Sequence, residues 1–492
     1  MPIDVRTGEP PTREQRLGSI TGYDGTLSDL VGQGCSGRLK EKRRCFSTVN
    51  YCSHMTAISS VLALQDTLVV DHAPAGCAGV YMIFGGAYDL NAPDGNGEYR
   101  PQTKIISTRL TEADTIFGAE QKLRDTVRAA YERHRPGEIY IATSCVSAII
   151  GEDVHTVAAE LSDELGVPVV MLSAEGMRSR LWATGFDAYY HSVIKTRVGP
   201  PKEKTDSIIY SGFASVAVEE IRPIFARFGL DVICMTGGGS REEFARASSA
   251  LCSFGQCDVE AGYALAYLEQ EYGVKYLHTH QPNGGVGFDR FLRDLGDFMG
   301  KRDIAERVIS EERKKYADKI NALRPSLKGK RALVALGSGY AFEAVRMLGE
   351  LGMTAVHSVA YHYDPASDSD GGREGPPAIA DIDELGLDVD ASVNNAQELE
   401  TYLVIKKYRP DIVITRAHGA GSWAARVGVP CLDMGLGINI IGYRGLYLFA
   451  SALETTLRNT NFFSKLGARY VSPFTDAFES LGPYRFYEED QG

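Results

Sequence analysis

The sequence predicts an α/β protein of doubly wound, Rossmann-like domains with parallel sheets, and three observations predict it. First, a short β-branched run, a Gly- or Ser-containing turn and an amphipathic helix follow one another repeatedly. Second, the strand runs are short and rich in β-branched residues, as in EIYIATS (138–144), VPVVMLS (167–173), SIIYSG (207–212), DVICMTGG (231–238), RALVALGSG (331–339), TAVHSVAY (354–361) and DIVITRAHG (411–419). Strands of that kind are buried on both faces by the helices between them. Third, 492 residues, 44% of them hydrophobic, exceed one ordinary core and suggest about three.

Taken in order, residues 1–45 are rich in Gly, Arg and Thr, show little periodicity, and read as an extended N-terminal arm. Residues 46–200 form a first α/β domain, closed by the polar, Pro-containing joint RVGPPKEKTDS (197–207). Residues 201–325 form a second, ending in a long charged helical stretch followed by RPSLKGKRA. Residues 326–492 form a third with a C-terminal segment. In open sheets of this type ligands bind beyond the carboxyl ends of the strands, so residues just after each strand are the ones to inspect.

Composition narrows the partners. The net charge of −12 repels phosphate backbones and argues against nucleic acid. No stretch is apolar enough to span a membrane, and the start MPIDVRTGEPPTREQR lacks a secretory h-region, so a cytoplasmic location is expected. The basic run Arg38–Arg44 (RLKEKRR) reads as a solvated surface segment or as a rim for an anionic cofactor or partner. The Gly-rich turns GSG (337–339) and TGGGS (236–240) match neither a dinucleotide fingerprint nor a P-loop, so ATP use must belong to a partner.

Nine cysteines in such a chain do not suggest a disulfide framework. Cys52 stands at the start of an apolar helical run, Cys77 follows the strand DTLVVDHAP in the turn AGCAG, and Cys145 follows EIYIATS. Strand-to-helix turns aim backbone N–H groups outward and stabilise a thiolate. The separations are too long for a zinc knuckle or a ferredoxin run. From position alone, three unrelated buried thiols remain an equal reading. Three thiolates also fall short of a cluster's usual four or more, which leaves the remainder to a partner chain.

The blocks YCSHMTAISSVLAL, VDHAPAGCAGVY, EADTIFGAEQKLRDTV and IATSCVSAIIGEDV resemble the nitrogenase component 1 family, and the likeness runs in register through most of the chain. That resemblance implies that Cys52, Cys77 and Cys145 are half the ligand set of a P-cluster-type [8Fe-7S] centre. It implies a related β-type subunit for the other half, in an α2β2 heterotetramer, with clusters at strand carboxyl ends between domains. It also implies an ATP-dependent [4Fe-4S] iron protein as electron donor. A second, complex iron–sulfur cofactor would rest on Cys257, sixteen residues before Gly273 in EQEYGVKY, as the family's spacing requires. A Cys252/Cys257 zinc pair is the alternative. Cys35, Cys45, Cys234 and Cys431 match no ligand position.

The departures from the family are specific. Gly435 stands where a histidine would ligate the cofactor, and Gly419 where a lysine would help hold homocitrate. Trp182, Phe186 and Tyr340 replace polar residues lining that site, and we read them together with Cys257 as the catalytic lining. His278, His280, His362 and His418 all follow strands and are candidates for the missing ligand. His278 and His280 could also pair on one metal, and each of the four could equally be a hydrogen-bonding core or rim residue. A polar, proton-delivering lining is what dinitrogen reduction needs, so that activity is not expected. The resemblance leaves three function classes. One is a reductase of the methylthio-alkane type, which cleaves C–S bonds of small thioethers and releases methanethiol. The second is a scaffold for cofactor assembly, and the third a protochlorophyllide-type tetrapyrrole reductase. Cys257 argues against the third, and the aromatic lining favours the first.

Overall fold

In the computed structural model of the chain, residues 2–47, 51–77, 104–212, 216–236, 239–366, 377–416, 418–434, 438–485 and 487 are described. The strands in chain order are β1 (Tyr23–Thr26), β2 (Thr67–His72), β3 (Lys104–Ser107), β4 (Glu138–Thr143), β5 (Val169–Ser173), β6 (Thr205–Ser211) and β7 (Asp231–Cys234). They continue with β8 (Ala250–Gly255), β9 (Lys275–Tyr276), β10 (Arg331–Leu336), β11 (Thr354–Ala360), β12 (Asp390–Val393), β13 (Ile412–Thr415) and β14 (Cys431–Asp433). They form three sheets, of order β3-β2-β4-β5, β7-β6-β8-β9 and β1-β12-β11-β10-β13-β14. Every named pairing is parallel except that of β1 with β12. The fold class is therefore the expected one.

The chain divides into two compact units, Met1–Arg16 with Tyr51–Tyr276, and Leu17–Asn50 with Leu277–Gly492. The first unit holds two of the sheets around one apolar cluster, which includes Ile58, Val69, Tyr140, Tyr190, Ile209, Ile233 and Leu265. Burying such side chains fully stabilises each by roughly 1.5–3 kcal/mol. Its central helices, Thr184–Arg197 and Asp258–Tyr272, are buried over most of their surface. Helix Ser53–Leu62 lies on the first of these with no room to spare. A Cβ at Gly185 would stand 2.2 Å from the Ser53 carbonyl oxygen and 2.7 Å from Thr56 Cβ.

The arm is more structured than its composition suggests. Residues Arg13–Leu17 and Leu27–Cys35 are helical, the second capped by Thr26, whose hydroxyl accepts from the Asp29 N–H. β1, with the sequence YDGT, is a strand only because it adds antiparallel to the edge of β12. Pairing of that kind overrides local propensity.

In the second unit, helix Gly284–Met299 begins against a nearly buried carboxylate. Glu350 Oε2 accepts from Gly285 N at 2.9 Å and from Val286 N at 3.3 Å, and glycines at 284 and 285 leave it room. Burial pushes the Glu350 carboxyl up to about 7, outweighing Arg346 and the two N–H donors that pull it down. The folded state thus holds a proton that the unfolded chain releases near 4.5. Stability from this group is complete below that pH and is lost as pH rises toward 7, at about 1.4 kcal/mol per pH unit. Denaturant titrations from pH 5 to 8 should show this slope, and Glu350→Gln should flatten it.

Among the described residues, no helix is long and apolar enough to cross a membrane.

Candidate metal-cluster sites

Cys52 is the N-cap of helix Ser53–Leu62, with extended backbone (φ −129), and its sulfur accepts from Met55 N at 3.5 Å. The helix start is tied down by Ser53, whose hydroxyl donates to the Ala174 carbonyl at 2.8 Å, just beyond β5. Cys145 opens helix Cys145–Ile150 directly after β4. Its position is set by a reciprocal cap, in which Ser144 N donates to Ser147 Oγ at 2.7 Å and Ser147 N donates back to Ser144 Oγ at 3.3 Å. Ser144 Oγ also donates to the His72 carbonyl at 2.9 Å, joining the ends of β4 and β2. Cys77 lies five residues past β2, in a turn closed by its own N–H to the Pro74 carbonyl at 3.0 Å.

Cys77 and Cys145 thus follow β2 and β4, the neighbouring central strands where the strand order reverses, and Ser53 ties the Cys52 turn to the end of β5 in the same sheet. That is the position at which open parallel sheets bind ligands. The loop after β5 closes over them at Gly176. A Cβ there would stand 2.9 Å from Cys52 Cβ, 3.5 Å from Cys145 Sγ and 3.6 Å from Cys52 Sγ. Cys77 feels the charge of both other thiols, and burial, then Asp71, pushes its own thiol up to about 11. Cys52 is raised as well, chiefly by burial. A metal charge is what displaces protons from thiols in such a place. Among the described residues no three donor side chains close on a single point as a lone ion requires.

Cys257 stands two residues past β8, again at the reversal point of its sheet, between β6 and β8. It is the N-cap of the fifteen-residue helix Asp258–Tyr272 and is buried, and burial followed by Glu260 pushes its thiol up to about 12. Cys252 lies inside β8, paired with Ile208 and Lys275, and behaves as a core thiol. The described residues do not bring the two cysteines together with a third donor.

Trp182 packs edge-on against Phe186, with ring centroids 5.7 Å apart, and against Tyr51 at 6.2 Å, next to Cys52. Phe186 is buried, and its neighbour Asp187 binds Arg13, which also donates to the Val259 carbonyl in the first turn of the Cys257 helix. Trp182 thus lies beside the Cys52 turn, and the helix that carries Phe186 is tied through Arg13 to the helix that follows Cys257.

The remaining candidates belong to the second unit. His280 Nδ1 lies 2.7 Å from Asp294 Oδ2, and His278, half-buried, follows β9. His362 is fully buried, with Nε2 3.4 Å from Asp364 and 3.5 Å from Ser338 Oγ. Tyr340 is buried under the Arg416 guanidinium at 5.3 Å. A Cβ at Gly419 would meet the Glu398 carboxylate, which would have to move aside. The His418 side chain, Gly435 and part of the TGGGS turn lie outside the described residues.

Residues 52–458 match the model of the family described as nitrogenase component 1 type oxidoreductase. The chain belongs to this family. Its relatives include nitrogenase alpha chains and NifE proteins. It is 28% identical over 415 residues to the nitrogenase molybdenum-iron protein alpha chain of Methanothermobacter marburgensis, covering 81% of this chain and 85% of that one. It is 25% identical over 475 residues to the nitrogenase iron-molybdenum cofactor biosynthesis protein NifE of Methanococcus maripaludis, covering 92% and 94%. The solved structure titled "Nitrogenase Cp1 at pH 6.5" shares the fold, with a TM-score of 0.72 at 20% identity over 88% of this chain and 93% of that one.

Sequence reasoning missed Gly176, Ser144 and the Arg13–Asp187 bond. Only the small-residue turn EGMRS hinted at the first. Gly176→Ala is expected to push its methyl against Cys52 and cost about 1–3 kcal/mol of local overpacking. The variant should fold yet retain less iron at the first site, read as iron per chain after anaerobic purification.

Proposed function

We propose that the chain is the catalytic α-type subunit of a nitrogenase-like reductase that cleaves C–S bonds of small methylthio-alkanes. The supporting observation is the approach of Cys52 and Cys145 to Gly176, with Cys77 following the neighbouring strand β2 and Cys257 at the equivalent point of the next sheet. Cys52, Cys77 and Cys145 would hold one half of an [8Fe-7S]-type cluster, and Cys257 a complex iron–sulfur cofactor. When bound, such centres supply low-potential electrons one at a time. This chain's part is to ligate through thiolates, to cap them with backbone N–H groups, and to exclude water at the buried Cys257.

A related β-type subunit completes the first site. Ile149, Met177, Ile116 and Phe117 are exposed, and Ile149 and Met177 belong to the segments that carry Cys145 and Gly176. Exposed apolar residues grouped at a half-built site suit a covering partner. An ATP-hydrolysing [4Fe-4S] iron protein would deliver the electrons. For the substrate, Trp182 and Phe186 favour a small apolar molecule over dinitrogen. The balanced reaction takes a thioether, two electrons and two protons to an alkane and methanethiol.

The scaffold reading is favoured by one observation, the NifE likeness over 92% of the chain. One experiment separates the two. The complex is supplied with iron protein, ATP and a methyl thioether, and headspace methanethiol is measured. ATP-dependent release is expected. A full cluster complement without turnover contradicts the enzyme and favours the scaffold.

A further inference from the structure

Beside the first cysteine site lies a buried pair whose role the family resemblance does not supply. Asp71, in β2, is wholly buried. Its Oδ1 lies 2.9 Å from His54 Nε2, while its Oδ2 meets no hydrogen-bond partner among the described residues. A buried carboxylate oxygen left unsatisfied costs stability, so its retention asks for a reason. Two features point toward the thiols. Asp71 lies at the carboxyl end of β2, six residues before Cys77 and next to His72, whose carbonyl accepts from Ser144 Oγ beside Cys145, and its charge raises the Cys77 and Cys52 thiols. His54 stands in the first turn of helix Ser53–Leu62, two residues after Cys52 and next to Met55, whose N–H donates to Cys52 Sγ at 3.5 Å.

Resting on the cluster reading above, we propose that Asp71 is a positioning and charge-setting residue for the centre held by Cys52, Cys77 and Cys145. Through His54 it pins the turn whose N–H groups stabilise the Cys52 thiolate. Its carboxylate also places negative charge beside that centre. The two effects have opposite signs. Hydrogen bonds to a ligating sulfur favour the reduced cluster, and a nearby anion favours the oxidised one.

Two variants separate them in the anaerobically purified complex, with midpoint potentials read by EPR-monitored titration and folding checked by thermal unfolding. Asp71→Asn keeps an acceptor for His54 and removes only the charge, so its first-site midpoint should move to a more positive potential. His54→Leu releases the turn and should move it to a more negative one. An unmoved midpoint in Asp71→Asn at full iron content overturns the proposal, as does a shift of the same sign in both variants. Loss of first-site iron from a folded Asp71→Asn variant overturns it as well, because the carboxylate would then be a ligand. A wild-type complex without iron overturns both this proposal and the cluster reading. An iron-loaded wild type with unmoved variants overturns this proposal alone.

Discussion

Replacing Cys257 with alanine is expected to abolish the second cluster while leaving the first in place. Among the described residues the thiol is the soft-metal donor that directly follows β8, and it stands at the N-cap of helix Asp258–Tyr272. Its surroundings are buried, and Asp258 and Glu260 in the helix that follows it do not replace a thiolate for iron–sulfur chemistry. Losing an outer partner of a metal ligand commonly costs 10–100-fold, so losing the ligand should lower thioether cleavage by more than about 100-fold. Iron per complex should fall, while the signal of the first cluster persists. A variant that keeps both its iron and its activity contradicts the second site.

The second large effect is on stability. Asp187 is fully buried and receives Arg13 at 2.7 and 3.0 Å and Arg16 at 2.6 Å, with both guanidinium groups almost wholly shielded. Removing one partner of a buried ion pair typically costs about 3–5 kcal/mol, because the remaining charge stays buried and uncompensated. Here one alanine strands two cations. Asp187→Ala should therefore destabilise the first unit by at least that amount, a large share of a usual folding free energy. Chemical denaturation would show it as a lowered midpoint, and Arg13→Met with Arg16→Met in the same background should recover part of the loss. No recovery would mean that the cations are not the source of the penalty.

Much of this architecture was legible because parallel strands buried on both faces announce themselves. β4, β5, β10 and β13 fall inside the apolar runs read from sequence. β8 was not read as a strand, although it carries the chain to Cys257. ALCSFG mixes small and polar residues, and its identity comes from pairing with β6 and β9 rather than from propensity. β12 and β14, only four and three residues long, are strands for the same reason. The four cysteines could be singled out by their turns and by family spacing. Gly176 could not, since its glycine reflects contact with a segment more than 120 residues away. The histidines show the converse. His280 and His362 follow strands as expected, yet the structure gives each an acidic neighbour, Asp294 or Asp364.

The claim on which the rest depends is that Cys52, Cys77 and Cys145 carry half of a shared iron–sulfur centre. Its most direct test is the iron content and EPR spectrum of this chain co-purified anaerobically with its β-type partner, compared with a Cys145→Ala complex. The account predicts a brown wild-type complex with a redox-active cluster signal that the variant lacks. A colourless, iron-free wild-type complex, or an unchanged signal in the variant, would contradict it.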